Sequence, residues 1–196
     1  MNQGFLPLLV LFIVIFDPLA SLAVFFVGTT GMSEKQRHRI ATLAIIVAAS
    51  ISYLFLIFGQ ALLTLFNTTI NEFKIAGGII LLILGIRMAL GQPLANLSEK
   101  EGNRGRAIAA IIGTPLLTGP AAITTIIVSV NDYGFVIPTL AVTIVLILCG
   151  LCLYFASWLK KHVSTTAIQV LSTILGLITL AWGVNFILTG LKAVWG

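Results

Sequence analysis

The apolar run 5–27 holds, near its centre, two residues that an uninterrupted transmembrane helix does not accommodate: Asp17 and Pro18. The run is long enough to cross a bilayer, which takes roughly 20 residues as an α-helix. Asp is a favoured N-cap and Pro a favoured first helical residue. The stretch Asp17-Pro18-Leu19-Ala20-Ser21 therefore reads as the end of one half-helix and the start of another. A carboxylate within lipid costs about 3 kcal/mol or more, so Asp17 is expected to face a cavity or a partner. Irregular backbone at that depth survives only where protein or water satisfies it.

A counterpart lies about a hundred residues on. Gly113-Thr114-Pro115-Leu116-Leu117-Thr118-Gly119-Pro120 interrupts a second apolar run, 107–130. Thr114 is suited to cap a restart at Pro115, and Gly119 precedes another at Pro120-Ala121. Two interrupted spans in matching halves are a sequence pointer to a transporter binding site.

Such runs could also belong to a large buried core, and composition decides between the two. The chain has 196 residues, of which 59% are hydrophobic and 9% charged. A mean hydropathy of +1.12 is that of an integral membrane protein, not of a soluble domain. The net charge of +5 sits in short loops between apolar runs, where it sets orientation and does not imply nucleic-acid binding. The N-terminus lacks a basic leader region and the first run exceeds signal-peptide length, so no cleavable signal is expected. Cys149-Gly150-Leu151-Cys152 has redox-motif spacing, but it lies in an apolar helix with no charge to favour a thiolate. It is read as two packed thiols.

Hydropathy predicts six spans: 5–28, 40–66, 72–91, 107–130, 134–158 and 167–191. The polar segment 92–106 divides the chain into two three-span units, 1–91 and 107–196. A repeat of an odd number of spans reverses its orientation, so related halves form an inverted repeat. Asp17-Pro18 matches Gly119-Pro120, and Gly78 and Gly85 match Gly176 and Gly183 at a slightly different offset. The expected fold is all-α: six transmembrane helices in two inverted three-helix repeats, with the first and fourth helices broken. Lys35, Arg37 and Arg39, then Lys100, Arg104 and Arg106, then Lys160 and Lys161 mark three cytoplasmic loops. Both termini are then outside.

Three segments resemble the MarC family of integral membrane proteins: Asp17-Pro18-Leu19, Phe73-Lys74-Ile75-Ala76-Gly77-Gly78-Ile79, and Pro115-Leu116-Leu117-Thr118-Gly119-Pro120-Ala121-Ala122-Ile123-Thr124-Thr125. The likeness covers nearly the whole chain in length, span number and motif order. It implies a prokaryotic inner or plasma membrane protein, and some members are described as transporters of small neutral amino acids such as glycine and alanine. After Asp-Pro-Leu, members commonly carry Gly-Asn and, two residues on, Pro. Here those positions are Ala20, Ser21 and Ala23, which keeps a polar group but loses the amide and the proline.

The expected site gathers Asp17, Pro18, Leu19, Ala20 and Ser21 from the first break, and Thr114, Thr118, Gly119, Pro120 and Ala121 from the second. Gly77 and Gly78 join it, either as a close-packing surface or as backbone lining. Thr118, Thr124 and Thr125 offer hydroxyls that bind a ligand or bond back to freed helix carbonyls. Arg87 reads as a side chain snorkelling to the interface. Asn185 either bonds across helices or lines the cavity. His38 and His162 lie in basic loops. No metal-ligand cluster, nucleophile triad or phosphate loop is present, so no cofactor, metal or enzymatic activity is expected.

Exposed amides at a half-helix start suit a carboxylate, and Asp17 suits an ammonium or a coupling ion, Na+ or H+. The expected function is secondary transport of a small zwitterion, a neutral amino acid. Its partners are the substrate and the lipid bilayer, and a homo-oligomer is compatible with the pattern. The alternative is a cation channel or an ion or metabolite exporter. An intramembrane hydrolase lacks paired catalytic groups. The orientation is testable with single cysteines at Gln36 and Gly102 in a chain without Cys149 and Cys152. Both are expected to react only from the cytoplasm, and labelling of either in intact cells reverses the orientation.

Overall fold

A computed structural model of the chain describes residues 4–29, 31–91, 112–162 and 165–195, and among them all regular structure is helical. The first apolar run forms two helices, α1 (Phe5–Phe16) and α2 (Pro18–Gly28). One residue separates them. Asp17 has φ 39° and ψ 73°, the left-handed region. Its N–H donates to the Ile13 carbonyl at 3.2 Å, closing α1, and its carbonyl accepts from the Ser21 N–H at 3.1 Å, opening α2. Asp and Asn adopt this conformation more readily than other L residues. The break is where the sequence puts it, but its geometry differs from that of an ordinary N-cap, which is extended.

The second interruption is less simple than expected. Residues Ile112–Leu117 form a π-helical turn, α5, and α6 (Pro120–Tyr133) follows. Pro115 does not begin an α-helix; it lies within the wide turn. Proline removes a backbone donor and crowds the carbonyl four residues back, and a π-turn is one way to absorb that. The Thr118 N–H reaches five residues back to the Gly113 carbonyl at 3.2 Å, and the Thr118 hydroxyl donates to the same carbonyl at 2.7 Å. Gly119 is the extended N-cap of α6 and Pro120 is its first residue, as the sequence predicts. The start of this run and the linker 92–106 lie outside the described residues.

The remaining helices are α3 (Glu34–Leu65), α4 (Ile70–Ala89), α7 (Val136–Tyr154), α8 (Ala156–His162) and α9 (Thr165–Trp195). Capping boxes start α3 at Ser33 with Gln36 and α4 at Thr69 with Glu72. The fifth run, expected to be continuous over 134–158, divides at Phe155, whose N–H is shared by the carbonyls of Leu151 and Leu153. That bifurcation tightens the last turn of α7 before α8 begins. Among the described residues, three helices are long and apolar enough to cross a membrane: Glu34–Leu65, Val136–Tyr154 and Thr173–Val194 within α9. Ile57, Phe58, Ile147 and Leu177 on them are more than half exposed. Apolar surface of this extent suits lipid, not water.

The interrupted segments lie inside this shell. Phe12 and Phe16 of α1, Leu22 and Phe25 of α2, Leu117 of α5 and Ala122 and Ile126 of α6 are buried together. α3 and α7 pack against each other, α3 also against α6, and α7 also against α1. The most extensive helix pair is α4 with α9. Glycines set its spacing. A Cβ on Gly78 would lie 2.7 Å from the Gly183 carbonyl oxygen, and one on Gly183 would lie 2.9 Å from that of Gly78. Gly85 and Gly176 meet in the same reciprocal way, at 2.8 and 3.0 Å. The pairing order makes the two helices antiparallel.

Each end of the bundle has its own ties. At one end Lys74 Nζ bonds both carboxylate oxygens of Asp132, at 2.9 and 3.0 Å. Gly4 abuts the Tyr133 ring there, and Gly190 abuts Asn71 and Ile75. At the other end Arg37 donates to the Ser157 hydroxyl at 3.2 Å, and His38 stacks on Tyr154 with ring centroids 4.1 Å apart.

The glycine seam makes a prediction. Gly78→Ala forces two backbones apart and is expected to destabilise the folded protein by about 1–3 kcal/mol, the usual range for overpacking. Gly150→Ala is the control. Its Cβ would meet only the Ile45 side chain, at 3.6 Å, an ordinary contact. Thermal unfolding in detergent is expected to fall for the first and hold or rise for the second. Equal transitions would show that the seam does not depend on backbone approach.

Candidate functional site

A cavity of about 370 Å3 lies where α1, α4 and α6 meet. Three chemically different walls enclose it. Ile15 and Asp17 come from the first break. Gly119, Pro120, Ala121 and Ala122 come from the second. Ile80, Ile83, Leu84, Arg87 and Met88 come from one face of α4. The volume is within the range of small-molecule pockets, about 300–1,000 Å3.

The polar groups are few and different in sign. Asp17 brings a carboxyl group into a region where the residue is 4% exposed. α6 brings its N-terminus. Gly119 has no side chain to cap it, Pro120 has no N–H, and the Ile123 N–H is the one that bonds back to the Gly119 carbonyl, at 3.0 Å. The amides of Ala121 and Ala122 are thus the first-turn donors of α6, at the positive end of its dipole. Arg87 adds a guanidinium. The cavity reaches the surface at Ile83, Arg87 and Pro120, all exposed.

Of the residues singled out in the sequence, Asp17, Gly119, Pro120 and Ala121 line this cavity. Pro18 is buried and Leu19 half-buried in the first turn of α2, and neither is in the wall; Ala20 follows them in that helix. Ser21 is fully buried, and its hydroxyl has no hydrogen-bond partner among the described residues. Thr114 lies in the π-helical turn. Thr118 is fully buried with its hydroxyl on the Gly113 carbonyl. Thr124 and Thr125 donate to the carbonyls of Pro120 and Ala121 at 2.8 and 2.9 Å. The hydroxyls of Thr118, Thr124 and Thr125 all bond to backbone near the break, and none of these three is in the cavity wall.

Gly77 and Gly78 pack helices; neither is in the cavity wall. A Cβ on Gly77 would overlap the Thr124 side chain, so Gly77 lets α4 approach α6 beside the cavity. Gly78 faces α9 instead. Asn185 is exposed and accepts from Thr189 of its own helix at 3.2 Å. Among the described residues no group of His, Cys, Asp or Glu could hold a metal ion. Cys149 and Cys152 are free thiols.

Arg87 is the wall residue that the sequence reading assigned to the interface. A signal was present: Gly77, Ile80, Leu84 and Arg87 recur at helical spacing on the face that Gly77 turns toward α6. It became readable only once Gly77 was known to touch α6 and not α9.

The model of the MarC family integral membrane proteins matches residues 2–195. The chain belongs to the MarC family. It is 32% identical over 187 residues to a UPF0056 membrane protein of Methanocaldococcus jannaschii, covering 91% of each chain. The UPF0056 membrane protein YhcE of Escherichia coli is 29% identical, with 91% of this chain and 87% of that one covered. A UPF0056 membrane protein of Buchnera aphidicola subsp. Baizongia pistaciae is 33% identical over 187 residues, covering 90% and 87%. No solved structure matches the chain. This MarC family member is thus an integral membrane protein with relatives in bacteria and archaea, and those relatives are named only as membrane proteins.

The conformation of Asp17 separates its backbone role from its charge. Asn tolerates the left-handed region as Asp does, so Asp17→Asn is expected to keep wild-type thermal stability. Asp17→Ala is expected to lose about 1–2 kcal/mol, the cost of that conformation for an ordinary L residue. A detergent melt compares them, and an alanine variant as stable as wild type would remove the backbone argument.

Proposed function

We propose that the chain is a secondary transporter of small neutral amino acids, working by alternating access with its site at the two helix breaks. One observation carries the reading: a buried carboxyl group and an uncapped helix N-terminus share one small, mostly apolar cavity. Asp17 suits the ammonium of a zwitterion, or a coupling ion, Na+ or H+. The first amides of α6 suit its carboxylate. The walls of Ile15, Ile80 and Leu84 are apolar and suit a small apolar side chain. The sequence carries no phosphate-binding loop, so the driving force is an ion or substrate gradient.

The proposed architecture is six spans in two inverted three-span repeats, 1–91 and 107–196, joined by the linker 92–106. The α4–α9 seam supports it. Taking Gly78 to Gly176 and Gly85 to Gly183 exchanges one reciprocal contact pair for the other, as a two-fold axis between antiparallel helices requires. The end contacts support the alternation of spans. Gly4, Asn71, Asp132 and Gly190 are tied together at one end, and Arg37 and Ser157 meet at the other. With the basic loops in the cytoplasm, both termini are outside a prokaryotic cell membrane, in keeping with the bacterial and archaeal relatives.

The test is uptake of radiolabelled glycine or alanine into proteoliposomes, normalised to inserted protein. Wild type is expected to give saturable, stereoselective uptake of alanine; non-saturable flux of cations would favour a channel. Asp17→Asn is expected to lower uptake about ten- to a hundredfold, because a charge-assisted contact is worth roughly 1.5–3 kcal/mol. Near wild-type uptake by this variant would leave Asp17 a purely structural residue.

A further inference from the structure

Helix α4 carries two cations, and the fold treats them differently. Lys74, near the N-terminus of α4, is matched by both carboxylate oxygens of Asp132. Arg87, in the last turn, has no hydrogen bond or ion pair among the described residues. It does not stand apart from the cavity; it is in the wall, seven residues and about 10 Å along α4 from Ile80. Its wall neighbours Ile83, Leu84 and Met88 are apolar. Arg87 is exposed at the cavity mouth, where a cation at a helix end faces water, an anion or the cavity. Here the cavity is present and a protein partner is not among the described residues.

The chemistry of the side chain narrows what could complete it. Arginine stays charged under all ordinary conditions and presents a planar fork of donors that fits a carboxylate in two bonds. Its place in the last turn of α4, at the negative end of the helix dipole, holds the charge without a protein anion. Asp17 lies in the wall of the same cavity with the opposite sign.

We propose that Arg87 receives the substrate carboxylate in this cavity, with Asp17 facing the ammonium, so that the site selects ligands bearing both charges. This rests on the transporter reading and adds to it a second anion-holding group beside the amides of α6. It also gives α4 a direct part in binding, where the packing of Gly77 and Gly78 would leave it only a structural one.

The experiment is equilibrium binding to the purified full chain in detergent with three probes: L-alanine, propionate, which lacks the ammonium, and ethylamine, which lacks the carboxylate. Arg87→Gln is expected to weaken alanine and propionate about ten- to a hundredfold and to leave ethylamine unchanged. Arg87→Lys keeps the charge without the fork and is expected to regain part of the loss. Unchanged alanine binding by Arg87→Gln overturns the assignment. So does an equal loss of ethylamine binding, the mark of general damage to the cavity. A lysine variant as weak as the glutamine variant overturns the charge role. Wild type that binds propionate but not alanine, with the propionate lost in Arg87→Gln, supports Arg87 as an anion site and sinks the amino-acid reading. Wild type that binds none of the three overturns both.

Discussion

A backbone amide or carbonyl left bare in hydrocarbon costs several kcal/mol, and the fold is arranged around that fact. Two apolar runs of this chain contain residues that end an α-helix in its middle. Each break releases carbonyls and amides, so each has to be surrounded by protein. The structure does this by putting α1, α2, α5 and α6 at the centre and the long helices α3, α7 and α9 around them. The groups freed at the breaks are used again locally. The Gly113 carbonyl takes both the amide and the hydroxyl of Thr118. The hydroxyls of Thr124 and Thr125 are satisfied within α6, on carbonyls one turn back. Asp17 closes one helix with its N–H and opens the next with its carbonyl.

Helix α4 links this centre to the shell. Its sides do different work within a few residues of one another. Gly77 admits Thr124 and brings α4 against α6. Gly78 and Gly85 admit the backbone of α9 together with the Ile187 and Leu180 side chains, so that two antiparallel helices approach closely. Ile80, Leu84 and Arg87 complete the cavity between the breaks. Small residues give such close contact in membranes because lipid offers no hydrophobic drive and packing has to supply the attraction.

Part of the cavity wall was legible beforehand, and for a specific reason. Asp-Pro within an apolar run and Gly-Pro within another are local signals, each set by the chemistry of one or two residues. Asp17 and Gly119-Pro120 were therefore found without any knowledge of contacts. The second break was read less well. Pro115 looked like a helix start because Thr precedes it, yet it lies inside a π-turn whose register depends on Thr118 reaching Gly113. Gly77 and Gly78 were paired as one motif, but adjacent residues on a helix point about 100° apart, and the two glycines serve different neighbours.

The sequence by itself determined the class of the protein, the positions of both breaks and the charge that lies in one of them. These follow from hydropathy, from proline's missing donor and from the cost of a carboxylate in lipid, all properties of short stretches. Tertiary structure decided which break faces which helix and which side of α4 lines the cavity. It also decided that Arg87 stands in the cavity wall. Those answers depend on the rotation of α4 about its own axis, which hydropathy does not fix when the helix is apolar on nearly every side. Close packing at Gly77, Gly78 and Gly85 fixes it, because a Cβ at any of the three would collide with a neighbouring helix.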